Sequence, residues 1–138
     1  MAARYYVDTS AYLCLLLRET HSRDIERELA GAHVLSSVLL ALESTRNLVR
    51  LAREGLLSSQ DLQLCLERLT VDLERFALRA LTLDLCTGLA LPIVSTPRSL
   101  DLAHLRTALW FHEREPLTRF VSLDSGQCET AREMGLPV

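Results

Sequence analysis

Four carboxylates stand where an apolar segment would otherwise continue. Asp8 ends "YYVD" and Asp124 ends "FVSLD", while Glu43 and Asp101 interrupt the apolar stretches "LLALESTRNL" and "RSLDLAHL". A carboxylate is costly to bury without compensation. Taken singly, each has a plain explanation. Asp8 and Asp124 can cap the helices that follow them, Asp101 in a first turn suits the helix dipole, and Glu43 can sit on a solvated face. Taken together, four acids folded into one place repel and raise one another's pKa. A hard divalent cation with oxygen ligands, Mg²⁺ or Mn²⁺, removes that penalty. Mg²⁺ keeps several waters and takes only a few carboxylates, which leaves positions for phosphate oxygens and an attacking water.

The elements that must position these acids follow from the patterning. "RYYVDT" (4–9) reads as a short buried strand ending at Asp8, and 10–19 as a helix capped by Thr9 or Ser10. A second helix spans 22–31, with Ser22 as cap and Gly31 just past its end. A strand is expected at 33–37, a long helix at 37–55 ending at Gly55, and a Ser-capped helix at 58–69. Residues 70–90 fit either a continuation of that helix or a strand near Phe76–Leu78 followed by a helix near Leu83–Gly88, and the second reading is preferred. A helix over 95–115 has Thr96 as cap and Pro97 in its first turn. A strand at 119–124, a helix at 125–135 ended by Gly135, and a short strand "LPV" complete the chain. Strands alternating with helices over short connections predict one α/β domain over 1–138, with a mostly parallel sheet covered on both faces. In such sheets ligands bind beyond the carboxyl ends of the strands. Asp8 and Asp124 would both face that crevice if their strands were neighbours.

Composition narrows the choices. The formal net charge is −3, so bulk charge does not announce a nucleic-acid binder, and all 15 basic residues are Arg. No apolar run approaches the roughly 20 residues of a bilayer span. Cys14, Cys65, Cys86 and Cys128 are scattered without a C-x-x-C pair, which disfavours a disulfide framework or zinc site and fits a reducing cytoplasm. "HEREP" lacks the second His of a zincin motif, and no glycine-rich phosphate loop follows the first strand. His104 lies three residues from Asp101 on the same helix face and can approach the acids. A packed histidine is the plainer reading.

The motifs "VDTSA" (7–11), an acid within "LLALESTRNL", "LDLAHL" (100–105) and "FVSLD" (120–124), in this order and followed by a helix and "GLPV", resemble the PIN-domain family, and in particular the VapC-type toxins. The resemblance implies a three-layer α/β/α sandwich. It also implies a metal-dependent endoribonuclease, often a homodimer, inhibited by a cognate antitoxin. Its acidic quartet falls on Asp8, Glu43, Asp101 and Asp124, and its hydroxyls on Ser10 and Ser122. In that reading Asp8, Asp101 and Asp124 hold Mg²⁺ or Mn²⁺, and Glu43 completes the site as a second-metal ligand or by activating water. Ser10 and Ser122 support the carboxylates. Arg46, Arg50 and Arg53 lie beyond Glu43 on its helix and can track an RNA backbone, although a solvated Arg face explains them as well. Two other readings stay open: an α/β interaction module whose acids are only caps, and a DNA-directed or structure-specific nuclease on the same scaffold.

Overall fold

The computed structural model describes residues 2–88 and 97–138. The elements are β1 (Arg4–Val7), α1 (Thr9–Leu17), α2 (Ser22–Leu29), β2 (His33–Ser37), α3 (Leu39–Arg53), α4 (Ser59–Arg75), β3 (Ala77–Arg79), α5 (Leu83–Cys86), α6 (Ser99–Arg114), β4 (Arg119–Val121) and α7 (Ser125–Glu133). The four strands form one parallel sheet in the order β3-β2-β1-β4. The preferred reading of 70–90 holds for its strand and short helix, observed at Ala77–Arg79 and Leu83–Cys86, while its first residues continue the preceding helix as the other reading had it. The apolar series Leu62, Leu66, Leu69 and Leu73 carries α4 on to Arg75, beyond the expected end at 69.

The sheet is covered on both faces because its side chains alternate. Tyr6, Leu35 and Phe120 stand in one row across three strands and pack under α6 and α7 with Leu105, Ala108, Phe111 and Ala131. Tyr6 and Phe120 stack with ring centroids 5.5 Å apart and planes at 7°. The next residues along, Val7 and Val121, point the other way into a second core with Tyr12, Leu15, Leu40, Leu48 and Leu69 from α1, α3 and α4. The result is an α/β/α arrangement of three layers, as the alternation of elements predicts.

Local chemistry departs from expectation at several ends. The cap of α1 is Asp8, whose carboxylate accepts from Ala11 N, not Thr9 or Ser10. Thr9 lies inside the first turn and its hydroxyl is drawn to Glu43 instead. His21, in left-handed backbone with φ 76°, precedes α2 and caps nothing, while Ser22 is the first helical residue. Ser58 caps α4 as expected by accepting from Asp61 N. Helix α6 begins at Ser99, so Pro97 precedes it, and the proposed Thr96 cap lies outside the described residues. "LPV" is no strand, for it makes one backbone bond to the sheet, from Phe120 N to Pro137 O at 2.7 Å. Gly135, at φ 81°, ends α7 in the left-handed conformation that glycine adopts without strain. The four cysteines are free thiols, and no described helix is long and apolar enough to cross a membrane.

Candidate active site

The strand order places β4 and β2 on opposite sides of β1, so the chain reverses direction across the sheet between β1 and β4. Ligands of open α/β sheets bind at such switch points, beyond the carboxyl ends of the strands. Asp8 follows β1 directly and Asp124 follows β4 by two residues. Val7 pairs with Val121, and Asp8 N donates to Val121 O at 3.1 Å. The two strand-end acids therefore belong to neighbouring strands at the switch point.

Asp8 is buried, 5% exposed, beside the start of α7. Its Oδ1 accepts from Ser10 Oγ at 2.7 Å and from Ala11 N at 3.1 Å, and its Oδ2 accepts from Ser122 Oγ. The same two hydroxyls accept from the backbone that leads into α7. Leu123 N donates to Ser10 Oγ at 3.0 Å and Asp124 N to Ser122 Oγ at 3.1 Å. Ser10 and Ser122 thus tie the start of α7 to the Asp8 carboxylate. Burial pushes the Asp8 carboxyl upward, and the bonds from Ser122, Ser10 and Ala11 N hold it back only in part.

Glu43, Asp101 and Asp124 line a common cleft of about 560 Å³ together with Arg98, and Asp8 is not among its lining residues. The cleft runs on, past Asp101 and Asp124, to Gly126, Gln127 and Glu129. Asp124 is exposed and caps α7 through Oδ1, which accepts from Gln127 N at 3.1 Å. Asp101 comes from the first turn of α6, an end with no side-chain cap. Its carboxyl is pushed upward by partial burial and by the charges of Asp124 and Glu43. Three acids thus share one field, which is the repulsion that the sequence implied. Glu43 behaves oppositely. Burial alone would raise it, but the bonds from His104 and Thr9 outweigh burial and hold it below the usual carboxylate range.

No family model matches this chain, and no curated protein matches it.

The donor chemistry suits a hard cation. All the acids offer oxygen, and among the described residues the Asp101 carboxylate, Glu43 Oε2 and Asp124 Oδ2 have no hydrogen-bond partner. Asp8 Oδ2 accepts a single bond and keeps one lone pair. Among the described residues, no group of three or more His, Cys, Asp or Glu is drawn together tightly enough to grip an ion by itself. Mg²⁺ asks for less, since it is commonly held by one or two carboxylates with waters and substrate phosphates filling the remaining positions.

Other sequence expectations fall differently. Arg46 and Arg50 are exposed on α3 and are not among the residues lining the cleft. Arg50 is occupied by Glu54 and Asn47 on its own helix, which is the solvated-face reading. The guanidinium at the cleft is that of Arg98, which the sequence did not single out. Gln127 was also missed. It is 4% exposed, and its Nε2 donates to Asp101 O at 3.0 Å, clamping α6 to α7. Trp110 is half-buried between Arg79 and Arg114, whose guanidinium carbons lie 4.5 and 3.8 Å from its ring centroid. It is no open stacking platform. A larger cavity of about 870 Å³ opens at the opposite, amino-terminal edge of the sheet, lined by Arg4, His33, Arg68 and Asp72 among others. It contains none of the four acids.

The raised Asp101 carboxyl sets a pH dependence. A carboxyl raised by folding contributes stability while protonated and loses it as pH climbs through its folded value. The metal-free chain should therefore gain stability relative to Asp101→Asn as pH falls from neutrality through that raised value. Urea melts of both proteins across acid pH check this. A stability difference that does not vary with pH would show that neither burial nor the neighbouring acids raise the Asp101 carboxyl.

Proposed function

We propose that this chain is a metal-dependent endoribonuclease toxin of a type II toxin–antitoxin module, hydrolysing RNA phosphodiester bonds at the acidic cleft. One observation carries the reading. Glu43, Asp101 and Asp124, distant in sequence, line one cleft, and Asp124 and Asp8 follow neighbouring strands at the switch point of a parallel sheet. The order of motifs resembling PIN-domain toxins supports the same choice. Such acids weaken the metal-free fold by mutual repulsion, so their gathering calls for a ligand that reverses the field.

In this reading Asp8, Asp101 and Asp124 hold Mg²⁺ or Mn²⁺, directly or through waters. When bound, such an ion would supply a water of lowered pKa and positive charge against the phosphate. Glu43, kept ionised by His104 and Thr9, would orient the attacking water. Arg98 at the cleft takes the phosphate contact expected of Arg46 and Arg50. A homodimer, a cognate antitoxin and a cytoplasmic location belong to the same proposal. The apolar residues left exposed on α3 (Leu42, Val49) and α4 (Leu64, Val71) offer surfaces for protein partners.

Incubation with single-stranded RNA in Mn²⁺ tests the reading. Cleavage that requires the ion and stops with EDTA is expected. Intact RNA across a panel of sequences, with DNA cleaved instead, would favour the DNA-directed alternative. No cleavage of either would favour the interaction module.

A further inference from the structure

A buried polar chain runs beneath the cleft and ends on Glu43. His104 is 2% exposed, on α6 one turn beyond Asp101. Its Nδ1 lies 2.8 Å from Tyr6 Oη. Its Nε2 lies 2.7 Å from Glu43 Oε1 and 3.2 Å from Thr9 Oγ1. Thr9 Oγ1 donates to the same Glu43 oxygen at 2.8 Å. Tyr6 is completely buried and Thr9 nearly so.

The direction of each bond follows from what each group can give. A carboxylate only accepts, so Nε2 carries the proton shared with Glu43 Oε1. The Tyr6 hydroxyl then donates to Nδ1. The Ser36 and Thr107 hydroxyls also approach the Tyr6 hydroxyl, and each donates its own proton to backbone, Ser36 Oγ to Val7 O at 2.6 Å and Thr107 Oγ1 to Ala103 O at 2.7 Å. Burial keeps Tyr6 a phenol. Glu43 Oε1 is thereby held by two donors, while Oε2 has no hydrogen-bond partner among the described residues.

We infer that His104 is a positioning residue: anchored by Tyr6, it fixes Glu43 through Oε1 and leaves Oε2 as the oxygen that works in the cleft. The inference deepens the nuclease reading and rests on it for the word "works". The geometry of the relay stands apart from that reading. A flexible Glu on an exposed helix turn samples several rotamers, and two buried donors select one. A carboxylate that must meet a water or ion gains most from such a hold.

Two isosteric variants separate positioning from packing. His104→Gln retains a donor near the place of Nε2, and His104→Asn retains a polar group near the place of Nδ1. Each is assayed for RNA cleavage in Mn²⁺, alone and with Glu43→Gln. His104→Gln should stay within about tenfold of wild type, and His104→Asn should lose about 10–100-fold in kcat with KM little changed. His104→Asn should have no further effect in the Glu43→Gln background, because the two residues act as a unit. Equal rates for the Asn and Gln variants, or additive losses in the double variant, would overturn the inference. A second readout needs no activity. ¹⁵N NMR of the metal-free chain should show His104 protonated at Nε2 with a bare Nδ1, and the Nε2 resonance should move in Glu43→Gln. An Nδ1-protonated ring would overturn the inference even in an active enzyme. An inactive wild type with the expected tautomer would remove the nuclease reading and leave the relay in place.

Discussion

Asp101→Asn is expected to lower Mn²⁺-supported RNA cleavage by on the order of a thousandfold while leaving the fold intact. The magnitude follows from the task. A metal ion contributes several kcal/mol of transition-state stabilisation, and each 1.36 kcal/mol is a factor of ten. Asp101 is the acid on which the field converges, since both Asp124 and Glu43 push its carboxyl upward. Its side chain carries no structural bond among the described residues, for Gln127 holds its backbone carbonyl instead. The amide is close in size and leaves that bond and the first turn of α6 in place. Asp8→Asn is a less clean test. The amide cannot accept at both ends, so it loses either the bond from Ser122 or the bond from Ser10 together with the cap of α1. Single-turnover cleavage of a labelled RNA, with circular dichroism to confirm folding, reads the effect. A folded Asp101→Asn protein that cleaves within a few-fold of wild type would exclude this carboxylate from the chemistry.

Phe120→Ala should have the largest effect on stability, about 3–5 kcal/mol as measured for buried aromatic truncations. Phe120 is fully buried at the edge of the sheet beside the site and stacks on Tyr6. The cavity would open between β1 and β4, the pair that sets Asp8 against Asp124, and would loosen the ring whose hydroxyl anchors His104. That loss is a large share of the roughly 5–15 kcal/mol that holds a domain of this kind together. Urea denaturation followed by tryptophan fluorescence measures it. A loss below about 1 kcal/mol would mean that the site rebuilds around the gap, contrary to interior packing of ordinary density.

The part of the fold that positions the acids was legible in short-range patterns. Apolar runs of strand length ending in Asp8 and Asp124, and Gly135 after a helical stretch, each carry their reason within a few residues. The choice between cap and functional acid was not a real choice. Asp8 accepts from Ala11 N and Asp124 from Gln127 N, so both cap their helices while standing at the switch point. A helix N-terminus favours a carboxylate through its dipole, so capping and service in the site ask for the same placement. The relay beneath the cleft was not legible. Tyr6 and His104 are 98 residues apart and His104 and Glu43 are 61 apart. Each looks locally like an ordinary residue of an apolar face, and only the fold brings side chains of α6, β1 and α3 together there. Arg98 was hidden for a related reason. Its neighbours in sequence give it no charge pattern, while Arg46 and Arg50 repeat along one helix, where Arg50 pairs with Glu54.

Thermal melting of the purified chain against Mn²⁺ tests most directly whether the acids form an ion site. A ligand bound only by the folded state raises stability by RT ln(1 + [L]/Kd), about 2.7 kcal/mol at a hundred times Kd. The wild-type melting temperature should climb with millimolar Mn²⁺, and Asp101→Asn and Asp124→Asn should lose most of that climb. A wild-type protein whose melting temperature ignores millimolar Mn²⁺, or variants that respond as fully as wild type, would contradict the ion site and the nuclease chemistry built on it.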